Sequence, residues 1–221
     1  MVRFHILFVI GLAALTADAG PGALAPGQLP ITLAGWSRGA QLFRGLGTFH
    51  RQISTHSPQA QRYFDQGMRL LWAFNHDEST RSFARALELD PSCGMCAWGI
   101  ALTVGPNYNL PMMAEPRASV AYAATNRARS LARSATPVEQ ALIEALAQRY
   151  PNAQPLDALS TLPILTAYAA ALRAVARRFP DDLDVQTLYA EALMNIHAWK
   201  LWAADGTPAE GTAEILSLIH I

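Results

Sequence analysis

Residues Ser57 to Pro91 read "SPQAQRYFDQGMRLLWAFNHDESTRSFARALELDP". Ser57 carries a side-chain oxygen suited to capping a helix, and Pro58 suits the first helical position. Tyr63, Phe64, Gly67, Leu70, Leu71 and Phe74 recur at helical spacing. Asn75-His76-Asp77 predicts a tight turn. A second helix follows, with Phe83, Ala86 and Leu87 inward and Pro91 beyond its end. Two short antiparallel helices cannot bury their shared face alone, so such a hairpin needs stacked neighbours.

The chain downstream supplies them. "MCAWGIALTVG", from Met95, predicts another helix. Gly105-Pro106-Asn107-Tyr108-Asn109-Leu110-Pro111 then replaces a short turn with an inserted loop, followed by Met112 and Met113. "ASVAYAATNRARSLARSA" predicts its partner helix. Thr136 as N-cap, Pro137 at the first position and Glu139 three residues on form the pattern of a capping box. "LTAYAAALRAVARRFPDD" and "DVQTLYAEALMNI" predict a further pair meeting near Pro180.

In this register the segment resembles the tetratricopeptide repeat, whose period is 34 residues. Gly67 matches the repeat's small eighth position. Tyr63 then matches the aromatic fourth position, and Leu70 the eleventh. Ser79 takes the small twentieth position, Phe83 the twenty-fourth, Ala86 the twenty-seventh and Pro91 the thirty-second. Ile100 and Ala101 match the seventh and eighth positions of the next repeat, as Tyr189 and Ala190 do further on. The resemblance covers roughly Ser57 to Ile196. It implies an all-α fold of stacked helix-turn-helix hairpins, an α-solenoid. "FNHDE", "LDPSCGMCAWG" and "GPNYNLPM" are also similar to stretches of exported bacterial tetratricopeptide proteins. There the chain runs on past a stretch like Trp199 to Gly206.

Both ends differ from this pattern. Arg3, an apolar run from Phe4 to Leu15 and Ala17-Asp18-Ala19 predict a secretory signal peptide over residues 1–19. The run is too short to cross a bilayer, which needs about 20 apolar residues. Residues 20–50 read as an irregular arm, which Trp36, Leu42 and Phe43 could dock. The helical domain is expected over 51–215, truncated. Residues 216–221, "LSLIHI", resemble a translated sequencing adaptor and are read as a non-native tail, so His220 is not counted as a ligand.

Formal net charge is zero, which leaves no field to recruit nucleic acid. The chain is 51% hydrophobic and 15% charged, against a usual ~25% charged. No later stretch is long and apolar enough to predict a membrane span. No nucleophile motif, Gly-rich phosphate loop or paired-carboxylate pattern stands out, so neither an enzyme nor a cofactor is expected. Asp181, Asp182 and Asp184 read as a charge bias at a helix start.

Cys93 and Cys96 are the two cysteines of the chain. Haem attachment needs a His where Ala97 stands, and a tetrahedral zinc site needs four ligands. Export favours a local disulfide between them. Two buried thiols, a metal-binding pair and a redox-active pair are the other readings. His76 and Met112 are the candidates to complete a metal site, since thioethers suit soft ions.

The resemblance also implies a concave groove lined by the first helices of the repeats. Its matching positions are Gln61, Phe64, Met68, Leu71, Trp72, Met95, Trp98 and Leu102. They are apolar and lack the Lys/Asn carboxylate clamp of chaperone-binding relatives. The expected function is an exported scaffold, periplasmic or extracellular, that holds an apolar protein or peptide segment. The inserted loop, with Asn107, Tyr108, Asn109, Met112 and Met113, is a second expected contact surface. The alternative is a periplasmic metal-binding or thiol-redox protein built on Cys93 and Cys96.

Overall fold

The computed structural model describes residues 29–219, so the expected signal peptide lies outside the described residues, as do His220 and Ile221. Among them the chain is helical, with isolated β-bridges in place of strands. The helices are α1 (Leu33–Trp36), α2 (Pro58–Trp72), α3 (His76–Leu89), α4 (Gly94–Val104), α5 (Arg117–Leu131), α6 (Pro137–Ala147), α7 (Ala158–Arg178), α8 (Leu183–Ile196) and α9 (Thr212–Ile219). From α2 onward each helix packs on the next in sequence, and α4 also meets α2 and α6. The class is all-α.

Side chains set the helix ends. Ser57 Oγ accepts from the Ala60 amide at 3.1 Å. Thr136 and Glu139 complete their capping box, and Asp182 accepts from the Val185 amide at 3.1 Å. Helix α2 ends differently. The Phe74 amide donates to Leu71 at 3.0 Å, and the Asn75 amide donates to Leu70 at 2.9 Å. This pair of bonds is the Schellman motif, whose left-handed residue is usually glycine. Here that residue is Phe74, at φ 58°. Phe74 shares the helical spacing of Phe64 and Leu71, but it lies beyond the end of α2, where the chain reverses, and it is 60% exposed.

The core is built around Phe83 of α3. Its ring lies edge-on to Phe64, with centroids 5.3 Å apart. A Cβ on Gly67 of α2 would fall 2.6 Å from that ring, and one on Gly99 of α4 would fall 2.4 Å from it. Two missing side chains therefore let two helices close on one aromatic ring. Ser79 adds a bond across the α2–α3 pair, its hydroxyl donating to the Gly67 carbonyl at 2.6 Å.

The arm before α2 is more ordered than its composition suggests. Trp36 is fully buried, under the Arg117 guanidinium, which lies 5.5 Å from the ring centroid. Leu42 and Phe43 remain exposed, so they do not dock the arm. Backbone bonds do. Gln66 accepts from the Phe43 amide at 2.7 Å and donates to the Gln41 carbonyl at 2.9 Å. Residues 50–56 then run as an extended strap over the helices. Arg51 pairs with Asp182 and Asp184, each at 2.8 Å, and the Ser54 amide donates to Glu139 at 2.7 Å. Asp90 accepts from Thr55 Oγ1 at 2.5 Å and from the His56 amide at 3.0 Å.

The tail does not break away. Ile215 is buried in α9, Leu218 packs on the core, and the helix continues through Ile219.

Two predictions arise from this packing. Gly67→Ala and Gly99→Ala each overpack the Phe83 ring, at a cost of about 1–3 kcal/mol. Alanine's better helix propensity returns about 1 kcal/mol. A net loss in urea midpoint is expected for both, and an unchanged midpoint would refute the clamp. Burial is the largest influence on the Asp90 carboxyl and pushes its pKa up. Bonds from Ser92, Thr55 and the His56 amide outweigh it and hold the pKa at about 2. The bound carboxylate therefore adds stability above the usual Asp range, and that stability is lost as pH falls through about 2. Asp90→Ala is expected to cost about 1–3 kcal/mol at neutral pH. Its deficit against the parent should narrow below pH ~4, where Asp90 of the unfolded chain takes up its proton, and close near pH 2, where the folded carboxylate protonates too. Paired acid titrations of unfolding would show it.

Candidate functional site

The positions expected to line an open groove are closed. Phe64, Met68, Leu71, Met95, Trp98 and Leu102 are buried, and Gln61 and Trp72 are partly so. The chain itself covers them. Gln61 donates to the Arg51 carbonyl at 2.8 Å and accepts from the Ile53 amide at 3.1 Å. Its amide group thus grips the backbone of the strap, and Ile53 beside it is buried. Farther along, Leu71, Trp72 and Leu102 share a cavity of ~10 Å³ with Leu188 and Glu191 of α8. The correction to the groove reading is physical. An apolar face this large stays covered: the strap lies on it at Gln61, and α8 borders its far end at Leu71, Trp72 and Leu102.

An opening remains at the rim. A cleft of ~180 Å³ is walled by Leu71, Trp72, Phe74, Tyr108, Ala190 and Met194, with Thr187 and Ile219 at its sides. It joins the α2–α3 turn, the inserted loop and α8. The loop is held by its own bonds. Asn107 and Leu110 pair in both directions at 2.9 and 3.0 Å, and Asn107 Oδ1 accepts from the Asn109 amide at 3.0 Å. Met113 is buried and pairs with Leu156, which anchors the far end. Tyr108 is thereby presented to the cleft and lies against Trp199, centroids 5.3 Å apart. Trp199 is 73% exposed and sits at φ 63°. Together with Phe74 it makes two bulky residues held in the left-handed region. Such conformations cost about 1–3 kcal/mol and collect at functional sites.

The floor of the cleft is polar. His76, Asn107 and Glu191 line both the cleft and the small cavity beneath it, where Arg149 joins them. Arg149 is 1% exposed. Its guanidinium donates to the Pro106 carbonyl and lies 5.1 Å from the Tyr168 ring centroid. Among the described residues no carboxylate forms an ion pair with it. Arg149 Nε, His76 Nε2 and Glu191 Oε2 are all shut off from solvent without hydrogen-bond partners. Glu191 as a residue is half-buried, but Oε2 is inside, and Oε1 accepts from Asn195 at 2.5 Å. Burial pushes its carboxyl up, against the downward pull of Arg149 and Asn195. Burial pushes the His76 imidazole down, with Arg117 and Arg149 adding to the effect and Asp77 opposing it. An imidazole shifted down by burial, a carboxyl shifted up by burial and a guanidinium without an ion pair thus line one small cavity beside an apolar cleft.

The cysteines stand elsewhere. Cys93 and Cys96 are joined in a disulfide and fully buried at the start of α4, where Cys93 Sγ also caps the helix by accepting from the Cys96 amide at 3.1 Å. Met112 follows the other end of α4 and is 48% exposed, so the structure does not gather it with the cysteines. His76 sits with the inserted loop at the cleft. Among the described residues no three of His, Cys, Asp or Glu group as metal ligands, and no helix is long and apolar enough to cross a membrane.

Sequence reading singled out His76, Leu71, Trp72, Asn107 and Tyr108 separately, and the structure brings them together. It passed over Arg149 and Glu191. Glu191 did leave a signal, one carboxylate inside the apolar run "LYAEALM". Arg149 left none, since a basic residue after a helix ordinarily reads as solvated. No protein family, no curated protein and no solved structure matches the chain.

Proposed function

We propose that the protein is an exported scaffold of tetratricopeptide-like hairpins that captures an apolar segment of a partner protein. The capture site is the rim cleft rather than the concave groove. One observation carries this reading: Phe74, a bulky aromatic, is held exposed and left-handed at the mouth of an otherwise apolar cleft. Burial does not explain that placement, because the ring gains little from it. A partner's side chain entering between Phe74, Trp72 and Tyr108 would. Proteins use concave apolar sites with a few convergent polar groups in this way. Helical successive packing supports the repeat reading, and a buried disulfide fits an oxidising compartment.

The test uses Phe74→Asn. Asparagine tolerates the left-handed conformation, so the variant should unfold at the same temperature as the parent or a few degrees above it. Peptides selected from a displayed random library against the parent should be rich in Leu, Phe and Met. They should bind Phe74→Asn at least about ten-fold more weakly, a loss of roughly 1.4 kcal/mol. Selected peptides that bind both proteins equally would exclude the cleft as the capture site.

A further inference from the structure

We infer that the rim cleft recognises a carboxylate carried on an apolar body, with the charge meeting Arg149 at the floor and the body filling the space between Trp72, Tyr108 and Met194. This rests on the reading of the cleft as the capture site and adds the chemistry of what enters it.

Charge is the first argument. A guanidinium keeps its proton inside a protein, and burying a cation without a counter-ion is costly. Arg149 is buried, has a free Nε, and lacks an ion pair among the described residues. Stacking on Tyr168 offsets part of the cost, and the Glu191 carboxyl in the same cavity attracts the guanidinium but does not pair with it closely enough to neutralise the charge. An anion at the floor would.

Hydrogen bonding is the second argument. The unpartnered atoms are Arg149 Nε, a donor, His76 Nε2, which donates in one tautomer, and Glu191 Oε2. Glu191 is the one acid here, and an ionised pair of carboxylates would repel. Burial pushes its carboxyl up while Arg149 and Asn195 pull it down, and in its protonated form it donates to an incoming carboxylate rather than opposing it. All three residues line the same small cavity.

Shape is the third argument. The ~10 Å³ cavity admits one oxygen atom or one water, and the ~180 Å³ cleft above it admits a single aliphatic or aromatic group. A carboxylate beside one such group has these proportions. It occurs at the C-terminus of a protein ending in Leu or Phe, and in a free arylalkanoic acid.

Calorimetric titration of the whole chain tests this with four probes: a hexapeptide ending in phenylalanine, the same peptide amidated, 3-phenylpropanoate and 3-phenylpropanamide. The expected result is a preference of about ten-fold or more for acid over amide. Preference within the peptide pair assigns the carboxylate to a protein terminus. Binding of phenylpropanoate with no binding of either peptide assigns it to a free acid and overturns the capture of protein segments. Acid and amide peptides binding equally overturns the carboxylate inference and leaves segment capture standing. No binding by any probe overturns the inference. Arg149→Met should abolish the acid preference. Thr187→Trp places an indole in the mouth from an exposed position on α8, so it keeps the fold and should abolish binding of every probe. Acid binding that survives Thr187→Trp would refute the site even if Arg149→Met does not fold.

Discussion

The rest of the molecule depends on one clamp, the Phe83 ring held between Gly67 and Gly99. Helices carrying side chains at those points could not approach, because a Cβ at either would overlap the ring. Close approach sets the spacing of α2, α3 and α4, and interiors packed at this density have little room to relax. The Ser79 hydroxyl on the Gly67 carbonyl fastens the same joint from the polar side. With the joint fixed, the α2–α3 turn and the end of α4 reach the same rim. Phe74, His76 and the inserted loop therefore meet.

The strap over residues 50–56 shows how such an array closes on itself. An extended segment laid over helices must satisfy its backbone amides, and it has no neighbouring strand to do so. Carboxylates from three places accept backbone amides instead, and a fourth holds a side chain. Asp65 takes the His50 ring and the Arg51 amide, and Glu139 takes Ser54. Asp90 takes Thr55 and His56, while Asp182 takes the Arg51 guanidinium. Glu139 serves the strap and its own capping box at once. Residues 131 apart in sequence are thus tied through charge-assisted bonds, which are stronger than neutral ones. The face that could have held a partner's segment holds the chain's own.

The rim has the opposite character. Its aromatics are strained and exposed, and its buried polar atoms lack partners. Local departures from satisfied, relaxed structure concentrate where a protein meets something else. Arg51 Nε in the strap and the Trp36 and Trp98 indole nitrogens in the core are also buried without partners, but at the rim three such atoms belong to residues that line one cavity.

The helices, their order and many of their caps were legible in the sequence, because 3.6-residue periodicity and capping oxygens act over a few neighbouring residues. Ser57, Pro58, Thr136 and Glu139 needed no knowledge of the rest of the chain. The clamp was half legible: Gly67 and Phe83 stood in the repeat register, while Gly99 did not. The site was legible only in pieces. Exposure of Phe74 follows from a backbone dihedral, burial of the groove residues follows from neighbouring helices and the strap packing on them, and the meeting of Arg149 with His76 and Glu191 follows from helices far apart in sequence. The sequence by itself determined an all-α chain of short helices. Tertiary structure alone decided which apolar face was covered and which cleft stayed open, because coverage depends on distant segments and no local pattern records it.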